Sequence, residues 1–180
     1  MRLFLFVFLF MLVQITYAQW SEDADQCARL VGNNEQAIRH CTKAIESGVL
    51  EAANLAQTCS NRAYLYWEEE RLDVALHDAH RTAELDRQNP TALNMVGRIY
   101  LDSGDCANAL TWFDKALDHV ANENEVTDGD SAEFAASLNS FICHDRLGNP
   151  ERAKKFLTRT FELDPDHTNL QESYYKHGLK

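Results

Sequence analysis

Positive charge is scarce in this chain. Its 180 residues carry 17 lysines and arginines against 28 aspartates and glutamates, a formal net charge of −11. Such a surface repels phosphate backbones and anionic lipid, which excludes nucleic-acid binding. Long apolar runs are missing after residue 18: nothing there reaches the roughly 20 apolar residues a spanning helix needs, so the mature chain is not expected to insert into a membrane. Catalytic signatures are missing as well. No serine belongs to a nucleophile elbow or a recognisable triad, and the carboxylates follow the spacing of exposed helix faces rather than that of a buried facing pair. His77 and His80, three apart beside Asp78, have a spacing that can hold a metal, but no motif supplies further ligands and the charged neighbours mark a solvated face. Asp128-Gly129-Asp130 lacks the regular ligand series of a calcium loop. No metal, no cofactor and no enzymatic activity are expected.

What the chain does have begins at Met1–Ala18, MRLFLFVFLFMLVQITYA, with Arg2 at its start, an apolar run from Leu3 to Val13, and the small residues Thr16 and Ala18 just before Gln19. This pattern predicts a secretory signal cleaved after Ala18, and hence an exported protein, periplasmic or secreted. No cysteine follows the run closely, which argues against a lipid-anchored amino terminus. Cleavage removes one charge, Arg2, and leaves the mature chain more acidic still.

The stretch from Pro90 to His119, PTALNMVGRIYLDSGDCANALTWFDKALDH, organises the rest. Leu93, Val96, Gly97 and Tyr100, then Ala109, Phe113 and Ala116, recur three and four apart, which is helical periodicity twice over. Gly104 lies between the two runs, where one helix stops and the chain reverses. Gly97 and Ala109 allow close helix approach, with Tyr100 and Phe113 filling the space beside the contact. A lone hairpin cannot bury its outer apolar face, so copies are expected. A shift of 34 residues places Ala63, Tyr66, Ala75, Ala79 and Thr82 in the same register; downstream, after about ten inserted residues, Gly148, Ala153, Leu157 and Thr160 fall into it. Gly32, Ala37, Cys41 and Ala44 mark an earlier copy, and Pro165 stops the last helix.

The 34-residue period, the small-xx-aromatic first helix, the Ala-xxx-Phe-xx-Ala second helix and the closing Leu163-Asp164-Pro165 resemble the tetratricopeptide repeats. The resemblance is strongest in the Pro90 unit and weakest in the first, where Asp25 and Ala28 stand at the Gly and Tyr positions. The amino-terminal unit is also similar to the start of small exported bacterial proteins built on this repeat. The family likeness implies an all-α, right-handed α-solenoid of about four helix-turn-helix units, near 22–55, 56–89, 90–123 and 134–167, with an acidic insertion over 124–133 and an end cap over 168–180. It further implies that the first helices line a groove, and selects Asn61, Tyr64, Trp67, Asn94, Arg98, Asn139 and Arg146 as the residues facing it. Asparagine amides donate and accept, so three of them can pair with the main chain of an extended peptide; the arginines suit a carboxylate and the aromatic rings an apolar side chain. The paired lysines by which relatives grip carboxyl-terminal tails are missing.

Five cysteines in an exported chain suggest disulfides with one thiol left over. Cys27 and Cys41 flank the first turn, and a bridge there contributes on the order of 3 kcal/mol by restricting the unfolded chain, although Cys41 lies about three residues too far along unless the first helix shifts. Cys106 and Cys143 sit at helix ends that stacking makes neighbours, and form the second candidate pair. Cys59 remains as a small buried residue. The predicted function is a non-catalytic scaffold for a peptide or protein partner; a metal-handling or thiol-active enzyme using His77, His80 or the odd thiol, and a structural subunit acting through the convex face, are the alternatives. The oligomeric state is not specified by the sequence.

Overall fold

The computed structural model describes residues 22–29, 33–122, 129–167 and 170, so the signal segment and most of the proposed end cap lie outside the described residues. All regular structure among them is α-helical. Helix α1 covers 22–29, followed by α2 (Asn34–Glu46), α3 (Ala52–Glu68), α4 (Leu72–Leu85), α5 (Pro90–Asp102), α6 (Cys106–Asn122), α7 (Gly129–Arg146) and α8 (Pro150–Leu163). The chain divides after Asp86 into two compact units.

The first unit holds α1 to α4. Asn33 starts α2 by accepting a hydrogen bond from the Gln36 amide at 3.1 Å, which satisfies one of the otherwise orphaned amides of a helix start. Ala37, Ile38, Cys41, Ala44 and Ile45 then form its buried stripe. α1 is tied to α2 by a Cys27–Cys41 disulfide, with 4.8 Å between the α-carbons, and by Asp23 Oδ1 at 2.6 Å from His40 Nδ1. Asp23 and Cys27, four apart, lie on one face of α1. These two links anchor a helix that lacks the Gly and Tyr packing residues of the repeat.

The second unit holds α5 to α8. Asn89 caps α5 through the Ala92 amide and Pro90 occupies its first turn, where a missing N–H costs nothing. Asp105 starts α6 by accepting from the Asn108 amide and side chain, at 3.1 and 2.6 Å; these hydrogen bonds hold its carboxyl below the usual range. α7 and α8 pack Phe141, Ala153 and Leu157 with Leu170, so one residue of the carboxyl-terminal stretch covers this core. His144 stacks on Phe156 at 5.5 Å, and burial, helped by the Arg152 charge, pulls its pKa below the ordinary histidine value.

Three hairpin turns share one hydrogen-bond scheme. After α3 the amides of Glu70 and Arg71 donate to Trp67 and Tyr66; after α5, Gly104 and Asp105 donate to Leu101 and Tyr100; after α7, Gly148 and Asn149 donate to Asp145 and His144. This helix-ending pattern needs a left-handed residue, a role glycine fills at little cost. Gly104 and Gly148 adopt φ of 85° and 68°, but the equivalent position after α3 is Glu70, at φ 59°. Glu70→Gly is therefore expected to stabilise the fold by about 0.5–1 kcal/mol, the relief of the left-handed backbone less the added freedom of the unfolded chain. A thermal midpoint equal to or below that of the wild type would contradict this.

The acidic stretch 124–133, expected as an insertion between repeats, is only partly one: 123–128 lie outside the described residues, while 129–133 open α7. Long-range contacts hold that turn helical. The Asn94 amide donates to the Ala132 carbonyl at 2.7 Å, and Arg159 donates to the Glu133 carboxylate at 2.7 Å.

Candidate partner-binding surface

In the first unit, α3 has one face locked into the core and another turned to solvent. The locked face centres on Arg62. Its Nε and Nη2 meet the Asp78 carboxylate of α4 at 2.6 and 2.8 Å, and its Nη1 donates to Thr42 Oγ1 of α2 at 2.9 Å. Asp78 is 1% exposed. Burial lowers the Arg62 pKa, and the hydrogen bond and charge of Asp78 outweigh it, so the net shift is upward. Sequence reasoning treated Asp78 only as a neighbour of two histidines. The signal was present: Asp78 lies three after Ala75 and four before Thr82, inside the buried stripe of α4. His77 points to solvent, and no group of three His, Cys, Asp or Glu side chains arranged to hold a metal occurs among the described residues.

The solvent face of α3 carries Gln57, Asn61, Tyr64 and Glu68. Gln57 donates to Asn61 Oδ1 at 2.9 Å, the Tyr64 hydroxyl donates to Glu68 Oε1 at 2.8 Å, and Asn34 of α2 reaches Glu68 Oε2 at 3.4 Å. Tyr64 is 48% exposed, and its ring lies 5.6 Å from that of half-buried Trp67, tilted by 45°. The Glu68 hydrogen bond raises the Tyr64 pKa, so the phenol keeps its proton. The result is an aromatic pair beside a fixed carboxylate.

In the second unit the residues assigned to a groove separate. Arg98 is exposed on α5, with Nε 3.0 Å from Asp102 Oδ2. Arg146 Nη1 donates to the Leu101 carbonyl at 3.2 Å, joining the ends of α7 and α5. Asn94 and Asn139 are buried, at 6% and 5% exposure. The ladder of three solvent-facing asparagines is therefore not formed. α7 starts earlier than the repeat frame places it, and its first turn takes the Asn94 amide for itself.

One further feature was not legible as a site. A cleft of about 730 Å³ opens among α6, α7 and α8, lined in part by Leu117, Val120, Ser137, Lys155 and Phe156, with Arg159 on its wall held by Glu133 and Glu162. The second bridge expected from the sequence is not formed here: Cys106 and Cys143, like Cys59, are buried free thiols. Arg62, three residues along α3 from Cys59, is a cationic neighbour already visible in the sequence, and the fold adds Arg81 of α4; desolvation outweighs both and raises the Cys59 pKa, which disfavours a reactive thiolate.

These hairpins, with a common turn and small residues at their crossings, define a helical-repeat scaffold of the α-solenoid class. Residues 90–118 match the tetratricopeptide repeat family model. Similar solved structures include MamA, at 17% identity and TM-score 0.71 over 91% of this chain and 84% of that one; PilF of Pseudomonas aeruginosa, at 17% and 0.68 over 91% and 69%; and the first TPR of Spaghetti (RPAP3) bound to the HSP90 peptide SRMEEVD, at 18% and 0.60 over 68% and 90%. No curated protein matches the chain in sequence. Residues 90–118 thus match one tetratricopeptide repeat, and the chain shares its fold with solved tetratricopeptide-repeat structures.

Proposed function

We propose that this protein is a non-catalytic scaffold that holds a peptide segment of a protein partner outside the cytoplasm, with the Tyr64–Trp67 face of α3 as its anchor. The observation that carries the reading is the exposed Tyr64 ring tilted against half-buried Trp67, on a helix whose other face is locked by Arg62 and Asp78. Aromatic side chains of this kind supply large contact area at small conformational cost. Asn61 offers amide hydrogen bonding beside them. The RPAP3 repeat domain with its bound peptide supports peptide holding on this fold. Export is supported by the signal pattern of Met1–Ala18 and the Cys27–Cys41 bridge; among the described residues no helix is long and apolar enough to cross a membrane.

The test is affinity capture from the exported fraction with wild-type protein and with a Tyr64→Ala/Trp67→Ala variant of unchanged circular dichroism. Capture is expected to fall at least tenfold, consistent with about 1.4 kcal/mol or more from an aromatic anchor. Equal capture would remove the anchor assignment. The apolar cleft among α6, α7 and α8 favours a second reading, a structural subunit that binds through its second helices. Photo-crosslinkers placed at residue 64 and at residue 155 separate the two, since a partner joined only through 155 would replace the first reading.

A further inference from the structure

We infer that Cys106 and Cys143 form a second disulfide once the chain is exported, stapling the start of α6 to the end of α7. Both are buried free thiols, at 5% and 0% exposure. Cys106 is the first residue of α6 and Cys143 lies in the last turn of α7, and their side chains share a hydrogen bond. The Arg146 hydrogen bond to the Leu101 carbonyl holds the end of α7 against the same hairpin turn that leads into α6. Burial and the Cys106 contact push the Cys143 pKa upward, so little of Cys143 is thiolate at neutral pH and exchange through it is slow. With the Cys27–Cys41 bridge, the second bond would leave Cys59 as the one unpaired cysteine of the five.

A donor disulfide, such as an oxidised dithiol carrier or glutathione disulfide, supplies the oxidising equivalents. The sulfur of Cys106, the more exposed of the pair, attacks one donor sulfur; the donor bond breaks and its first thiolate leaves, taking up the Cys106 proton. Cys143 sulfur then attacks the Cys106 sulfur, forming the bridge and expelling the second donor thiolate, which takes up the Cys143 proton. Two protein thiols are oxidised and one donor disulfide becomes two thiols.

The inference rests on export for its setting, but its chemistry is testable without it. Full-length mature protein is incubated in a glutathione redox buffer poised as in an oxidising compartment, denatured in N-ethylmaleimide, weighed and mapped. One alkyl group, on Cys59, and a linked peptide pair containing Cys106 and Cys143 are expected. Three alkyl groups, or a bridge containing Cys59, would overturn the pairing. Cys106→Ser and Cys143→Ser should each show two alkyl groups while retaining the Cys27–Cys41 link, and each should melt several degrees below the oxidised wild type, as loss of a bridge closing a loop of this length entails. If the bridge forms in the buffer but protein recovered from the exported fraction carries three alkylated cysteines, the claim that export forms it fails while the anchor on α3 is untouched.

Discussion

Replacing Asp78 with alanine is expected to destabilise the first unit by about 3–5 kcal/mol, because it leaves the Arg62 guanidinium charged, largely buried and without its carboxylate. A domain is stable by only about 5–15 kcal/mol, so this variant should be partly unfolded at 37 °C. Arg62 also links α2 to α4 through Thr42, and its loss of fixed position should loosen both helices. The pairing itself need not be optimal for stability. A double replacement, Arg62→Met with Asp78→Leu, removes both desolvated charges and is expected to recover most of the lost free energy. Urea unfolding of the two variants decides the matter: a cost below about 1 kcal/mol for Asp78→Ala would mean that the pair is solvated and that α3 is not locked as described.

The second large effect concerns Gly97 and Phe113 in the second unit. Phe113 is fully buried, and a β-carbon placed on Gly97 would overlap its ring, with Cδ1 at 2.6 Å and Cζ at 3.0 Å. Phe113→Ala should cost about 3–5 kcal/mol through lost burial and an unfilled cavity. Gly97→Ala should cost about 1–3 kcal/mol, since overpacking exceeds the gain in helix propensity. The two are in contact, so their effects should not add. In a Phe113→Leu background, Gly97→Ala is expected to be nearly neutral, and a double-mutant cycle measures that difference. An additive cycle would show that the ring moves aside and that Gly97 is not required for the crossing.

The Gly97 crossing was legible because helical spacing and residue size are local quantities. Leu93, Val96 and Gly97, with Ala109, Phe113 and Ala116, carry the period and the sizes on their own, and the hairpin follows from them. The groove was less legible. Asn94 and Asn139 are polar residues at repeat positions that face solvent in an ideal unit, and nothing local distinguishes an exposed amide from one captured by another helix. Glu70 shows the same limit at a turn: its register with Gly104 identifies the turn, but the left-handed strain at a glutamate is visible only in the backbone.

The sequence by itself determined the helical hairpins, their 34-residue register and their acidic surface, since these depend on periodicity, residue volume and charge count, which need no knowledge of distant neighbours. Only the tertiary structure decided which polar groups are inside. Burial of Asp78 depends on Arg62 sixteen residues away, and burial of Asn94 goes with a carbonyl acceptor thirty-eight residues away. Burying a polar group costs free energy unless a partner satisfies it, and for Asp78 and the Asn94 amide that partner is brought by the fold rather than by the adjacent chain.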